Sequence, residues 1–276
     1  MIRNSTRFSN TSTTDGDVTL EIRDAVATIT VQRPAKINAM RLATWVALYA
    51  HVVAADSNPA VGLLVVRGSG KHFGAGNDIE ALSTFSGNSA KALVFATAWA
   101  DAIQSVEDAT KPVLMAIEGV CYGAALALSL AGDVRIASAN SLFSIPVAKL
   151  GALYLQSDLQ RLVAAVGMGQ TKKLIYSSDT LGAEQALRIG LVDEVVSEES
   201  FERALQRLIE TILERSPFTL LRSKEMLREL GYAGSVRETS ETLASFADAT
   251  QNEDFAEGIS AFLTRRTANF LRTWAG

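Results

Sequence analysis

Two stretches of this chain have the residue types for a chemistry performed by the main chain. They are VRGSGKHFGAGNDIEAL, residues 66–82, and EGVCYGAALALSL, residues 118–130. Each ends an apolar run in small residues and then turns helical. A helix N-terminus presents unpaired backbone N–H groups and the positive end of the helix dipole. Small residues let a ligand approach that backbone closely. Two such junctions facing one another could direct two N–H groups at one oxygen, an oxyanion hole that requires no catalytic side chain. Small-residue turns of this kind also serve as plain βα connections in any α/β fold, and both readings stand at this level. The second junction carries no carboxylate, histidine or lysine in its first turns, so chemistry there would have to come from the backbone. Neither junction matches the G-x-x-x-x-G-K-[ST] phosphate loop, and a dinucleotide fingerprint is absent.

The elements that must position these junctions read as an α/β order. VTLEIRDAVATITVQRP suggests two short strands around a turn at Asp24, and RLATWVALYAHVVAAD has helical spacing. VGLLVVRGSG, KPVLMAIEGV and DVRIAS are apolar strand runs separated by helical stretches, the pattern of buried, largely parallel strands. From about residue 200 the pattern is helical throughout. The expected division is a disordered tail over 1–16, a core over 17–199 and a helical region over 200–276.

Composition narrows the function classes. The chain has 276 residues, 48% of them hydrophobic, and a net charge of −4. That suffices for a large core and argues against nucleic acid or an anionic membrane surface as partner. No apolar run reaches the ~20 residues of a transmembrane helix. The single cysteine, Cys121, excludes an intrachain disulfide and fits a reducing cytoplasm. With two histidines, His51 and His72, and one cysteine, no Cys/His metal cluster can be assembled.

Several motifs in order then resemble one family. QRPAKINAM, HFGAGNDI, KPVLMAIEGVCYGAALALSLAGDVRIAS and TLGAEQALRIGLVDEVV are similar to the signature segments of the enoyl-CoA hydratase/isomerase (crotonase) superfamily, and the likeness runs from about Val18 to Trp274. The resemblance implies an α/β fold, a crotonase-like spiral of ββα units with a C-terminal helical region, assembled as a homotrimer or a hexamer. It implies an acyl-CoA thioester as substrate and no cofactor beyond the coenzyme A of that substrate. By position it makes Ala75 and Ala124 the residues whose amides hold the thioester oxygen, stabilising an enolate. Lys36, Gly74, Gly76, Asn77, Asp78 and Gly123 fall in segments that line the substrate site. Phe262 and Arg265 match C-terminal residues that reach the coenzyme A site, often from a neighbouring subunit.

The departures from the family pattern bear on the reaction. Hydratases of this family carry two glutamates, where this chain has Ala127 and Val147. Hydration needs one group to activate water and another to handle the α-proton, and alanine and valine do neither. Tyr154, in IPVAKLGALYLQSDLQRL, follows a pattern seen in the methylmalonyl-CoA decarboxylase branch and is the candidate acid or hydrogen-bond donor. Its alternative role is to line the pocket by packing alone. Decarboxylation suits such a site because loss of CO₂ forms the enolate without a base. A catalytically degenerate acyl-CoA-binding paralogue is the competing class.

Other polar residues read as structural. Asp158, four residues after Tyr154, would share its face if both are helical and is then a candidate base, with a surface or capping carboxylate the favoured reading. Asp78 reads as a loop-fixing acceptor, Glu80 as a helix-start charge, Glu118 as a support of the turn, and His72 as a loop histidine. Cys121 reads as a small apolar filler. Leu82, Phe85 and Trp99 are candidates for the apolar wall of the acyl pocket.

Overall fold

The computed structural model describes residues 11–84, 88–232 and a few positions between 257 and 269. Near its start, β2 (Val18–Arg23) and β3 (Val26–Val31) alternate buried and open positions, the signature of strands with one face on a core. They pair antiparallel through a two-residue turn at Asp24 and Ala25, both with positive φ, as the tight hairpin turn requires. Before them, β1 (Thr11–Asp15) pairs antiparallel with β2. The disordered tail expected over 1–16 is therefore corrected at residues 11–15, which form a strand. Thr11, Thr13 and Thr14 are β-branched residues that suit an edge strand once β2 offers its ladder, and residues 1–10 lie outside the described residues.

The sheet continues in parallel through β4 (Leu63–Gly68), β5 (Val113–Ile117), β7 (Val134–Ser138) and β10 (Glu194–Val196). The strand order is β1-β2-β3-β4-β5-β7-β10. The central strands are unbroken apolar runs because both faces are covered. On one face lie α1 (Leu42–Asp56) and α3 (Ser89–Asp108), packed on each other. On the other, α8 (Phe201–Leu213) sets Phe201, Leu205 and Ile209 against Leu63, Leu114 and Ile136. A second, three-stranded sheet joins β6 (Val120–Tyr122), β8 (Leu142–Ser144) and β9 (Leu181–Gly182).

Between the layers runs α4 (Ala124–Leu130), with all seven residues buried. Its sequence, AALALSL, is small or apolar all round, as a helix enclosed on every side must be. The remaining helices are α2 (Ile79–Ser83), α5 (Val147–Leu150), α6 (Gln156–Ser177), α7 (Ala183–Arg188) and α9 (Pro217–Tyr232). The α/β spiral with C-terminal helices expected from the motifs is thus the observed class. Among the described residues no helix is long and apolar enough to cross a membrane.

Candidate active site

The two junctions lie side by side, stitched by the main chain. Phe73 N–H donates to Glu118 O at 2.8 Å, Gly74 N–H to Val120 O at 2.9 Å, and Tyr122 N–H to Gly74 O at 2.9 Å. The loop between β3 and α1 braces the first junction from the other side. Asn38 Nδ2 donates to the carbonyls of Ser69 (2.9 Å) and His72 (2.7 Å). Met40 N–H donates to Gly76 O at 2.7 Å, and Asp78 N–H donates to Met40 O at 2.8 Å.

This bracing decides which amides are available, and it corrects one expectation. Ala75 N–H donates to Ile37 O at 2.8 Å, so it has no hydrogen to offer a ligand. The Met40 bridge uses the carbonyl before Asn77 and the amide after it. Bridging peptides alternate in direction, so the Asn77 N–H turns to the opposite side. It has no acceptor among the described residues. Ala124 N–H, the first amide of α4, has none either, as the geometry of a helix start dictates. Gly76 places these amides close together: a Cβ built on it would lie 2.7 Å from Tyr122 O and 3.0 Å from Ala124 N. Its φ of +91° also belongs to glycine. The pair offered by the junctions is Asn77 and Ala124.

Gly123, the residue before α4, has φ 51° and ψ −124°, a conformation that is essentially glycine's own. Its carbonyl accepts Ala127 N–H at 3.1 Å and the Tyr154 hydroxyl at 2.5 Å. Tyr154 is 7% exposed and packs edge-on against Trp99, with ring centroids 6.5 Å apart. Burial pushes its hydroxyl well above the usual range, and the nearby Asp158 and Cys121 add to that. Its proton is held on the turn that launches α4. Trp99 stacks on Trp45 at 6.3 Å, and Trp45 Nε1 donates to Asn77 Oδ1 at 3.0 Å. An aromatic run thus links Tyr154 to the side chain of Asn77.

The other sequence candidates separate. Asp78 caps α2: Oδ1 accepts Glu80 N–H, and Oδ2 pairs with Arg33 at 2.9 Å. Burial raises its carboxyl, but Arg33 and the backbone donors outweigh that and hold it below the usual carboxylate range. It fixes the loop, as expected. Gly74 packs against Ala125. Lys36 is exposed and pairs with Glu80 at 2.7 Å, away from the two free amides. Arg265 is exposed, while Phe262 and Phe85 lie outside the described residues. Leu82 is half-buried against the core. His72 Nδ1 accepts Val120 N–H at 3.1 Å, a loop role. Glu118 pairs with Arg67. Cys121 is buried, and burial pushes its thiol far up, away from thiolate. Among the described residues no group of three His, Cys, Asp or Glu could hold a metal.

Asp158 departs from its expected surface position. It is 1% exposed, with Oδ1 on Arg161 Nη1 at 3.1 Å and no partner on Oδ2. Burial pushes its carboxyl up to about 6, against the pull of Arg161. The four-residue spacing from Tyr154 does not place it, because Tyr154 precedes α6.

The comparisons with known proteins agree with this architecture. The sequence model of the family described as enoyl-CoA hydratase/isomerase matches residues 21–273. A crotonyl-CoA hydratase of Syntrophomonas wolfei is 32% identical, the match covering 92% of this chain and 98% of that protein. A 2,3-dehydroadipyl-CoA hydratase of Escherichia coli is 30% identical, covering 89% and 94%. The solved structure of an enoyl-CoA hydratase/isomerase family protein from Hyphomonas neptunium superposes with a TM-score of 0.87 at 33% identity, covering 93% and 98%. The chain belongs to the enoyl-CoA hydratase/isomerase family, with the crotonase fold.

Proposed function

We propose that the protein activates an acyl-CoA thioester by holding its carbonyl oxygen on the amides of Asn77 and Ala124. The reaction is an isomerisation or a decarboxylation proceeding through the thioester enolate, not a hydration. One observation carries the reading: two neighbouring amides, on junctions stitched together by the main chain, have no acceptor among the described residues. Two preorganised donors meeting one developing oxyanion contribute several kcal/mol to the transition state. Either route to the enolate then suffices. Loss of CO₂ leaves the bonding pair on the α-carbon, and removal of a proton does the same. Hydration lacks its residues, because the positions matching the family's glutamates are Ala127, inside buried α4, and half-buried Val147. Gly74 and Gly76 let the two junctions pack closely, and Gly123 leaves the turn before the Ala124 amide without a side chain. Lys36 and Arg265 are exposed cations suited to coenzyme A phosphates. The lone cysteine suits the cytoplasm, where we place the protein.

A second reading, an acyl-CoA-binding paralogue without turnover, draws on the commitment of the Tyr154 hydroxyl to the Gly123 carbonyl. Purified protein assayed against crotonyl-CoA, methylmalonyl-CoA and a 3-enoyl-CoA separates the two. Turnover of either of the last two supports the enzyme, and binding of all three without turnover supports the paralogue.

Tyr154 is a positioning residue in this scheme. Removing one such hydrogen bond costs about 1 kcal/mol, so Tyr154→Phe is expected to lower kcat about fivefold with KM nearly unchanged. A loss of a hundredfold or more would show that the hydroxyl moves the proton itself.

The assembly we propose is a homotrimer or hexamer. Leu42, Val46, Tyr49 and Val53 form an exposed apolar stripe along α1 at helical spacing, a face that a subunit contact would cover. Light scattering should give a mass three or six times that of the chain, and a monomer at working concentration would refute the assembly.

A further inference from the structure

The missing glutamates leave the site in need of a proton carrier, and one buried carboxylate stands close by. Asp158 Oδ2 is the only carboxylate oxygen among the buried side-chain atoms without a hydrogen-bond partner, counted over the described residues. Its side chain is 1% exposed, so bulk solvent does not reach it. Burying such an oxygen unpartnered is unfavourable unless something else occupies it. The other oxygen is fixed. Arg161 holds it, and Arg161 is itself held by Glu107 Oε2 (2.9 and 2.5 Å) and Gln104 Oε1 (2.8 Å), both on α3. A base oriented by a second group is the arrangement proton transfer requires. Asp158 lies close enough to Tyr154 for its charge to act on that hydroxyl, and the hydroxyl touches the carbonyl preceding the Ala124 amide. The Trp99 indole N–H, from the ring packed edge-on against Tyr154, is also buried without a partner. A donor and an acceptor are thus left open around one tyrosine.

We propose that Asp158 is the catalytic carboxylate of this site, taking a proton from the carbon α to the thioester and returning it at the γ carbon, so that the reaction is a double-bond shift. This rests on the enolate reading above. The Asp158 carboxylate forms an O–H bond as the α C–H bond breaks. The C–H pair becomes the double bond between the carbonyl carbon and the α-carbon, and the carbonyl π pair moves onto the oxygen held by Asn77 and Ala124, giving a dienolate. On γ-protonation the first pair shifts to α,β and the old β,γ pair takes the proton. The dienolate carbonyl re-forms as the γ carbon takes the proton back from Asp158, moving a β,γ double bond to α,β with no other reactant. One carrier suffices for a shift, whereas hydration needs two groups. The charged and titratable groups facing Asp158 are Arg161 on its own helix, Glu107 on α3 and Tyr154 before α6. From α5, Lys149 turns instead to Ser178 O, and α4 has no titratable side chain. The carboxyl, at about 6, is substantially ionised at neutral pH and still able to return a proton.

The test is deuterium uptake at the α-carbon of butyryl-CoA in D₂O, which reads enolate formation without needing the natural substrate. Wild-type protein should exchange, with the rate rising as pH increases through about 6. Asp158→Asn should slow exchange at least a hundredfold while still binding butyryl-CoA, and Asp158→Glu should retain part of it. No exchange by a wild-type protein that binds butyryl-CoA would overturn this proposal and the isomerisation route, leaving turnover of methylmalonyl-CoA as the separate test of the enolate reading. Exchange that is equal in wild type and Asp158→Asn would overturn only the proposal, leaving Asp158 as a structural partner of Arg161. Should the asparagine variant fail to fold, a wild-type rate flat between pH 5 and 8 would overturn it equally.

Discussion

Crotonyl-CoA offered at saturating concentration is expected to be hydrated on the order of 10²–10⁴-fold more slowly than by a relative that carries both glutamates. In the arrangement proposed above, the amides of Asn77 and Ala124 polarise the thioester whether or not water attacks, so binding is expected to be retained. What is lost is the group that takes a proton from water as it adds. Ala127 is fully buried in α4, between Leu126 and Leu128, and no water reaches it. Val147 opens α5 after Pro146 and offers only methyl groups. Asp158 can exchange one proton with the α-carbon but cannot also activate water at the β-carbon. The measurement is the loss of the enoyl thioester absorbance, and a rate equal to that of the two-glutamate enzyme would refute the expectation. Writing Glu back at 127 alone is not expected to rescue the rate, because a carboxylate in that fully enclosed helix is buried without a partner.

Gly76→Ala is the second substitution with a large expected effect. It should reduce α-proton exchange on butyryl-CoA by about 10²–10³, the loss associated with removing one oxyanion donor. The added methyl would stand 2.7 Å from Tyr122 O and 3.0 Å from Ala124 N, so one junction must retreat from the other and the two amides cease to share an oxygen. Alanine at a φ of +91° is strained as well, which costs about 1–2 kcal/mol. Gly151→Ala provides the control. Its φ is +63°, and a Cβ there meets nothing within 4 Å, so it carries strain without crowding. Gly76→Ala should lose more thermal stability than this control, and only Gly76→Ala should lose exchange. Equal exchange in the two would show that the spacing between the junctions is not what matters.

The strands that build the sheet were legible because a strand buried on both faces must be apolar throughout, as LLVV and VLMAI are. The junctions were legible as small residues at strand ends. Which amide each junction frees was not. Ala75 and Asn77 are two residues apart in one small-residue loop, and what distinguishes them is a partner, Ile37 O, some forty positions earlier in the chain. Sequence pattern specifies element type far better than the direction of one N–H in a turn. Asp158 was misread for a related reason. An aspartate in the first turn of a helix suits the dipole whether it faces water or protein, and its burial depends on α3 supplying Gln104 and Glu107 to hold Arg161. β1 was missed because its Ser- and Thr-rich sequence becomes a strand only beside β2.

Because the proposed oxygen-binding pair is made of peptide N–H groups, no single codon encodes it. Alanine in place of glutamate at 127, or valine at 147, leaves both hydrogens where they were. A lineage can therefore discard one reaction and acquire another while its electrophilic activation stays constant, provided the glycines that set the spacing survive. Descent in such a scaffold is then recorded in its turns, and its chemistry in a few replaceable positions around them. Two proteins with the same turns can differ wholly in product, and the residues at 127, 147 and 158 are the ones to compare first.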